Sequence, residues 1–151
     1  MAKDLNTEFI FVGVLMKRLL SGVETGGQFC LFENASEGAS QTPIHRHDND
    51  DETIYMIEGE MQAIIAGETR VVKAGETVFL PRGIAHQLMN VSGQPTRYLL
   101  LCTPPGFEDF VAVAGRVRGP DEMPGRPGPE DIARLKEAAP RFGITLLPDW
   151  P

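Results

Sequence analysis

Residues 45–65 read HRHDNDDETIYMIEGEMQAII. Thr53 to Ile57 and Glu60 to Ile65 are short runs rich in branched and apolar side chains, parted by the turn signal Glu58-Gly59, and both read as strands. Thr42 to His47 reads as a third strand. On an extended chain, residues two apart share a face, with Cβ atoms about 7 Å apart, so the imidazoles of His45 and His47 can converge on one ion. Glu52 follows five residues after His47, and a short loop from Asp48 to Asp51 can return its carboxylate to the same cavity.

Working outward, further strands are expected at Gln28 to Glu33, Arg70 to Val72, Thr77 to Leu80, His86 to Val91 and Thr96 to Cys102. Turn signals separate them at Ala66-Gly67, Ala74-Gly75, Pro81-Arg82-Gly83 and Ser92-Gly93. Many short strands with close Gly and Pro punctuation predict an all-β antiparallel sandwich or barrel. The barrel core spans about 28–102, within one domain over 1–151. Before it, Phe9 to Leu20 is an apolar strand segment, suited either to a two-fold interface or to burial within its own barrel. After it lies a helical extension, about 103–151: Thr103-Pro104-Pro105-Gly106 breaks the last strand, and 119–129 is a Pro/Gly-rich linker. One short helix then starts at Pro129 and stops at Pro140. That helix and Phe142 to Leu147 are expected to cover one side or end of the barrel.

The chain has three histidines, His45, His47 and His86, all in its β-rich middle. With His86 arriving from a separate strand, three imidazoles and the Glu52 carboxylate can hold one divalent metal ion, leaving a six-coordinate ion two open positions for catalysis. Such donors suit iron, manganese, nickel, zinc and cobalt, with iron or manganese ranked first. Ile54 and Met56 follow Glu52 at even spacing and Leu88 follows His86, so these three are candidates to line the pocket. Asp48, Asn49, Asp50 and Asp51 read as a solvated acidic loop. Asn90, on the face of His86, is expected to make a hydrogen bond inside the barrel.

A net charge of −7, with no basic stripe to offset it, argues against a nucleic-acid partner. Lys17 and Arg18 interrupt the apolar N-terminal run, so no membrane span is expected, and no small-residue cleavage site follows it. Cys30 and Cys102 fall outside any CxxC spacing and read as packed thiols in a reducing compartment, hence a cytoplasmic protein.

These residues match two motifs of one family. The first runs Gly38, six residues, His45-Arg46-His47, four residues, Glu52, six residues, Gly59; the second runs Gly75, five residues, Pro81-Arg82-Gly83, two residues, His86, three residues, Asn90. They resemble the paired motifs of the cupin superfamily, with one residue more than usual after Gly38. The flanking Phe11-Val12-Gly13-Val14-Leu15, Thr25-Gly26-Gly27, Thr103-Pro104-Pro105-Gly106-Phe107-Glu108 and Arg141-Phe142-Gly143-Ile144 look like bacterial single-domain quercetin 2,3-dioxygenase-like cupins. The resemblance implies a double-stranded β-helix, or jelly-roll barrel, with the metal held by His45, His47, Glu52 and His86, and a homodimer. It implies a dioxygenase that takes dioxygen and a small chelating substrate of flavonol, enol or diketone type, with Glu52 also a catalytic proton acceptor. Two alternatives stand beside it: a redox-neutral isomerase or lyase, and a cupin that binds a metal or small molecule without turnover.

Overall fold

A computed structural model describes residues 5–151. In chain order the strands are β1 (Glu8–Phe11), β2 (Val14–Leu20), β3 (Cys30–Ser36), β4 (Ser40–Gln41), β5 (Ile44–His47) and β6 (Asp51–Glu58). Then follow β7 (Glu60–Ile65), β8 (Glu68–Lys73), β9 (Thr77–Leu80), β10 (His86–Asn90) and β11 (Thr96–Thr103). The tail holds helix α1 (Phe107–Ala114), β12 (Arg116–Val117), helix α2 (Pro129–Ala138), a 3-10 turn (Ala139–Phe142) and β13 (Ile144–Leu147). No helix is long and apolar enough to cross a membrane.

The strands form two antiparallel sheets, one ordered β12-β1-β2-β3-β11-β6-β9 and the other β13-β5-β10-β7-β8, with β4 also paired to β10. Period-two alternation sends one face of each strand inward. In β3 the buried residues are Cys30, Phe32, Asn34 and Ser36, and in β11 they are Thr96, Tyr98, Leu100 and Cys102. The core lies between the sheets, and its period is the one read from the sequence.

Three features of the termini depart from expectation. Phe9 to Leu20 is a hairpin rather than one strand: it reverses at Val12-Gly13, where both residues take positive φ, 44° and 81°, and Phe11 pairs with Val14. A β-branched residue rarely adopts that conformation, so the usual Asn-Gly turn signature is missing. The tail holds two helices, not one. In α1, Phe107, Phe110, Val111 and Ala114 are buried at helical spacing, but eight residues span little more than two turns, too few for the period to distinguish a helix from a strand by sequence. The end of the chain does more than cover the barrel, since β13 extends the second sheet and pairs Ile144 with His47 and Leu146 with His45.

Gly59, between β6 and β7, has φ 78°, and a methyl group there would overlap the Pro95 carbonyl oxygen. Gly83 has φ 79° with nothing within 4 Å of an added Cβ. Gly83→Ala is expected to cost about 1 kcal/mol for backbone strain alone, and Gly59→Ala about 3 kcal/mol, strain plus overlap. Urea unfolding of the two variants checks the difference; equal losses would contradict it.

Candidate metal centre

His45 and His47 stand two apart on β5, His86 lies opposite His45 on β10, and Glu52 enters from β6 in the other sheet. His47, Glu52 and His86 are buried, and one donor atom from each of the four residues lies within 4.8 Å of all the others. Donors on opposite sides of a first-row ion stand about 4.4 Å apart, so the cluster has the right compass. The imidazole rings crowd together, with centroids 4.3 Å apart for His45 and His86, 5.2 Å for His45 and His47, and 5.5 Å for His47 and His86.

Hydrogen bonds aim the rings. His45 Nδ1 lies 2.8 Å from the Pro43 carbonyl oxygen, which can only accept, so Nδ1 carries the proton and Nε2 is left to bind an ion. His47 Nδ1 lies 3.2 Å from Asp50 Oδ1, with the same result. His47 Nε2 approaches Glu52 Oε1 to 2.7 Å, and His86 Nε2 comes within 3.9 Å of Glu52 Oε2. The His47 Nε2–Glu52 contact is a charge-assisted pair while His47 carries its second proton, whereas both ring nitrogens of His86 are buried without a hydrogen-bond partner. Buried polar atoms without partners are costly, and a cation bound at His86 Nε2 would satisfy one of them while replacing the proton on His47. The donor set therefore fits a divalent transition-metal ion.

The electrostatics agree. Burial and the two neighbouring imidazoles hold His45 down to about 3, and burial lowers His86. Burial also opposes charge on His47, but Glu52 and Asp50 outweigh it and lift His47 to about 10. Burial works against the Glu52 carboxylate, yet the three histidines hold it down to about 2. A site this dry keeps one carboxylate ionised by keeping one positive charge beside it, a role a proton on His47 fills until a metal replaces it.

Two details correct or extend the sequence reading. Asp50 is not a solvated loop residue: it is 7% exposed, turned inward onto His47. Its neighbour Asp51 faces outward, accepting from the Arg82 backbone N–H at 2.8 Å and from the guanidinium at 3.2 Å. That pairing ties the turn before His86 to the strand carrying Glu52. Asn90 lies in the barrel as expected, where its Nδ2 donates to the carbonyl oxygens of Gly38 at 2.9 Å and Gln94 at 2.7 Å.

Beside His45, His47 and Glu52 lies a cavity of about 60 Å³. Leu88 lines it, whereas Ile54 and Met56 are fully buried in the core outside it. Most of its wall comes from residues that the sequence reading did not assign to the site. Phe107 and Phe110 of α1, Leu135 of α2, and Ile144 and Leu146 of β13 close one side. Asn34 and Tyr98 add polar groups; their signal was a polar or amphipathic residue on the inward face of an otherwise apolar alternation. The thiols of Cys30 and Cys102 are buried, free and opposite one another in register.

Two curved antiparallel sheets with a three-histidine, one-glutamate cluster between them define a double-stranded β-helix protein with a metal-binding constellation. Residues 32–102 match the cupin domain family, and the fold is a cupin fold. Solved structures of similar shape include a sugar phosphate isomerase from a cupin superfamily of Silicibacter pomeroyi, 24% identical with a TM-score of 0.52. That alignment takes in 60% of this chain and 59% of the other, so the chain spans less than two thirds of that protein. A predicted oxalate decarboxylase from Thermotoga maritima is 22% identical with a TM-score of 0.60, covering 69% of this chain and 96% of the other. An RmlC-like cupin from Shewanella frigidimarina is 20% identical with a TM-score of 0.59, covering 74% and 93%. At these identities the likeness is one of fold. No curated protein sequence matches the chain.

Two measurements follow from the geometry. Asp50→Ala leaves the His47 Nδ1–H without its acceptor and is expected to weaken metal binding by roughly 10- to 100-fold, read by competition with a chromophoric chelator. Because a metal must displace the proton on His47, apparent affinity is expected to rise about tenfold per pH unit between pH 6.5 and 9, with about one proton released per metal bound. Calorimetry in buffers of different ionisation enthalpy counts that proton; a release of none would contradict the charge assignment.

Proposed function

We propose that this chain is a metal-dependent enzyme acting on a small, oxygenated, chelating organic molecule of enol or diketone type, and that the reaction is a dioxygenation. The observation that carries this reading is the pairing of a four-donor cluster with a cavity whose wall is almost wholly apolar. Among the described residues, none of those lining the cavity is Lys or Arg. The sugar phosphate and oxalate in the names of the structural relatives are polyanions, and such a substrate would find no fixed cation here apart from the metal. A neutral or singly ionised chelator needs none. The volume has room for roughly five waters, the bulk of a molecule of about ten heavy atoms, which favours a compact enol or diketone over a flavonol.

The choice of dioxygenation over redox-neutral chemistry rests on proton handling. Isomerisation takes a proton from one carbon and returns it to another, which calls for groups that exchange protons readily near neutral pH. Glu52 is the one carboxylate on the cavity wall, and burial lifts the Tyr98 phenol to about 12, too high for ready exchange. Activating an enol toward dioxygen would need its hydroxyl proton removed and a redox-active ion bound, with no proton returned to carbon.

A divalent ion bound by His45, His47, His86 and Glu52 supplies Lewis acidity and a centre for dioxygen chemistry. Glu52, positioned by its contact with His47, is the group placed to take the substrate hydroxyl proton; with its carboxylate held down to about 2, that transfer needs a hydroxyl made strongly acidic by coordination. The phenylalanine and leucine side chains exclude water and hold the carbon skeleton against the metal end. Apolar walls also suit dioxygen, which carries no charge or dipole.

Protein purified without added metal or chelator is expected to hold about one equivalent of a transition metal, and His47→Ala to lose it. Oxygen electrode traces with a panel of enols, β-diketones and flavonols are expected to show uptake for the compact members. Bound metal without uptake would point instead to a lyase, an isomerase or a binding protein, and failure to bind metal after reconstitution would overturn the proposal.

A further inference from the structure

Asn34 on β3 and Tyr98 on β11 are directly paired across the sheet, and both line the cavity, four residues along β11 from the Cys102 rung that faces Glu52. They are set back from the metal end, among apolar neighbours. Asn34 is 2% exposed, and its Oδ1 is buried without a hydrogen-bond partner. Tyr98 stands opposite it in register, so the amide and the phenol are neighbours on the cavity wall. Thr42, another polar residue on the wall, already accepts the Leu88 backbone N–H at 3.0 Å.

An orphaned acceptor in a dry cavity is a group shaped for a donor that arrives with the ligand. We infer that Asn34, beside Tyr98 on the cavity wall, is the specificity-determining contact of this site: its amide oxygen accepts a hydrogen bond from a hydroxyl or N–H at the end of the substrate remote from the chelating oxygens. This rests on the reading of the metal cluster as a chelate-binding site. The substrate class narrows accordingly to a compact, uncharged skeleton with a chelating enol or ketone edge at one end and a neutral donor at the other. Removing the donor from the ligand leaves Asn34 unpaired in the complex, and a site built around a hydrogen bond discriminates strongly against such an analogue.

Two hydroxypyranones provide the probe pair. Kojic acid and allomaltol share the chelating hydroxyketone edge and differ only at the opposite side of the ring, hydroxymethyl in the first and methyl in the second. Their binding to the metal-loaded protein, read by displacement of the ligand-to-metal absorption or by calorimetry, is expected to favour kojic acid by roughly tenfold or more. Asn34→Leu is expected to erase that preference with metal stoichiometry unchanged. Equal binding of the two pyranones to the unaltered protein would overturn the role of Asn34 while leaving the chelate site intact, and needs no variant to fold. A preference that survives in Asn34→Leu would do the same. If neither pyranone binds the metal-loaded protein, the chelate reading fails and this inference fails with it.

Discussion

Three imidazoles and a carboxylate buried within one small volume are the constraint on which the rest of this structure turns. No arrangement of the protein's own groups satisfies them all: His45 can be kept neutral and Glu52 charged beside a protonated His47, but the ring nitrogens of His86 find no hydrogen-bond partner. Holding such a cluster in place demands rigid supports. The chain supplies them by putting His45, His47 and His86 on β5 and β10 of one sheet and Glu52 on β6 of the other, with β-ladders on both sides of the ligand strands. Asp50, the Pro43 carbonyl and the Asp51–Arg82 pair then fix ring orientation and strand position.

Around that cluster the environment is graded. At the metal end, donors are dense and charged. A few residues away the wall becomes phenylalanine, leucine and isoleucine, relieved by a neutral amide and a phenol. A ligand suited to both zones must itself be two-ended, with oxygen for the ion and carbon for the wall. The missing cations matter as much as the donors, because a buried polyanion without fixed positive partners is heavily penalised.

Much of this was legible in the sequence because the central strands obey one simple period. Glu60–Ile65 and Thr77–Leu80 coincide with their expected limits, and the His-x-His spacing carries its geometry in the two-residue repeat of an extended chain. What could not be read has specific causes. The reversal at Val12-Gly13 uses a β-branched residue in a conformation it seldom takes, so composition gives no warning. Helix α1 is too short for its period to outvote its apolar content. Asp50 sits in a run of acidic residues whose average behaviour is solvation, and only the three-dimensional turn shows that one member folds inward. The cavity wall was least accessible of all, since it joins residues near 11, 34, 98, 107 and 144, which no local pattern connects.

This division of the chain has a consequence for how the protein can change. The four candidate metal donors lie within residues 45–86, whereas the hairpin at 8–20 and the tail beyond Thr103 furnish much of the wall. Substitutions in the terminal segments would therefore reshape the cavity while leaving the four candidate donors in place, except along β13, whose ladder with β5 ties the tail directly to His45 and His47.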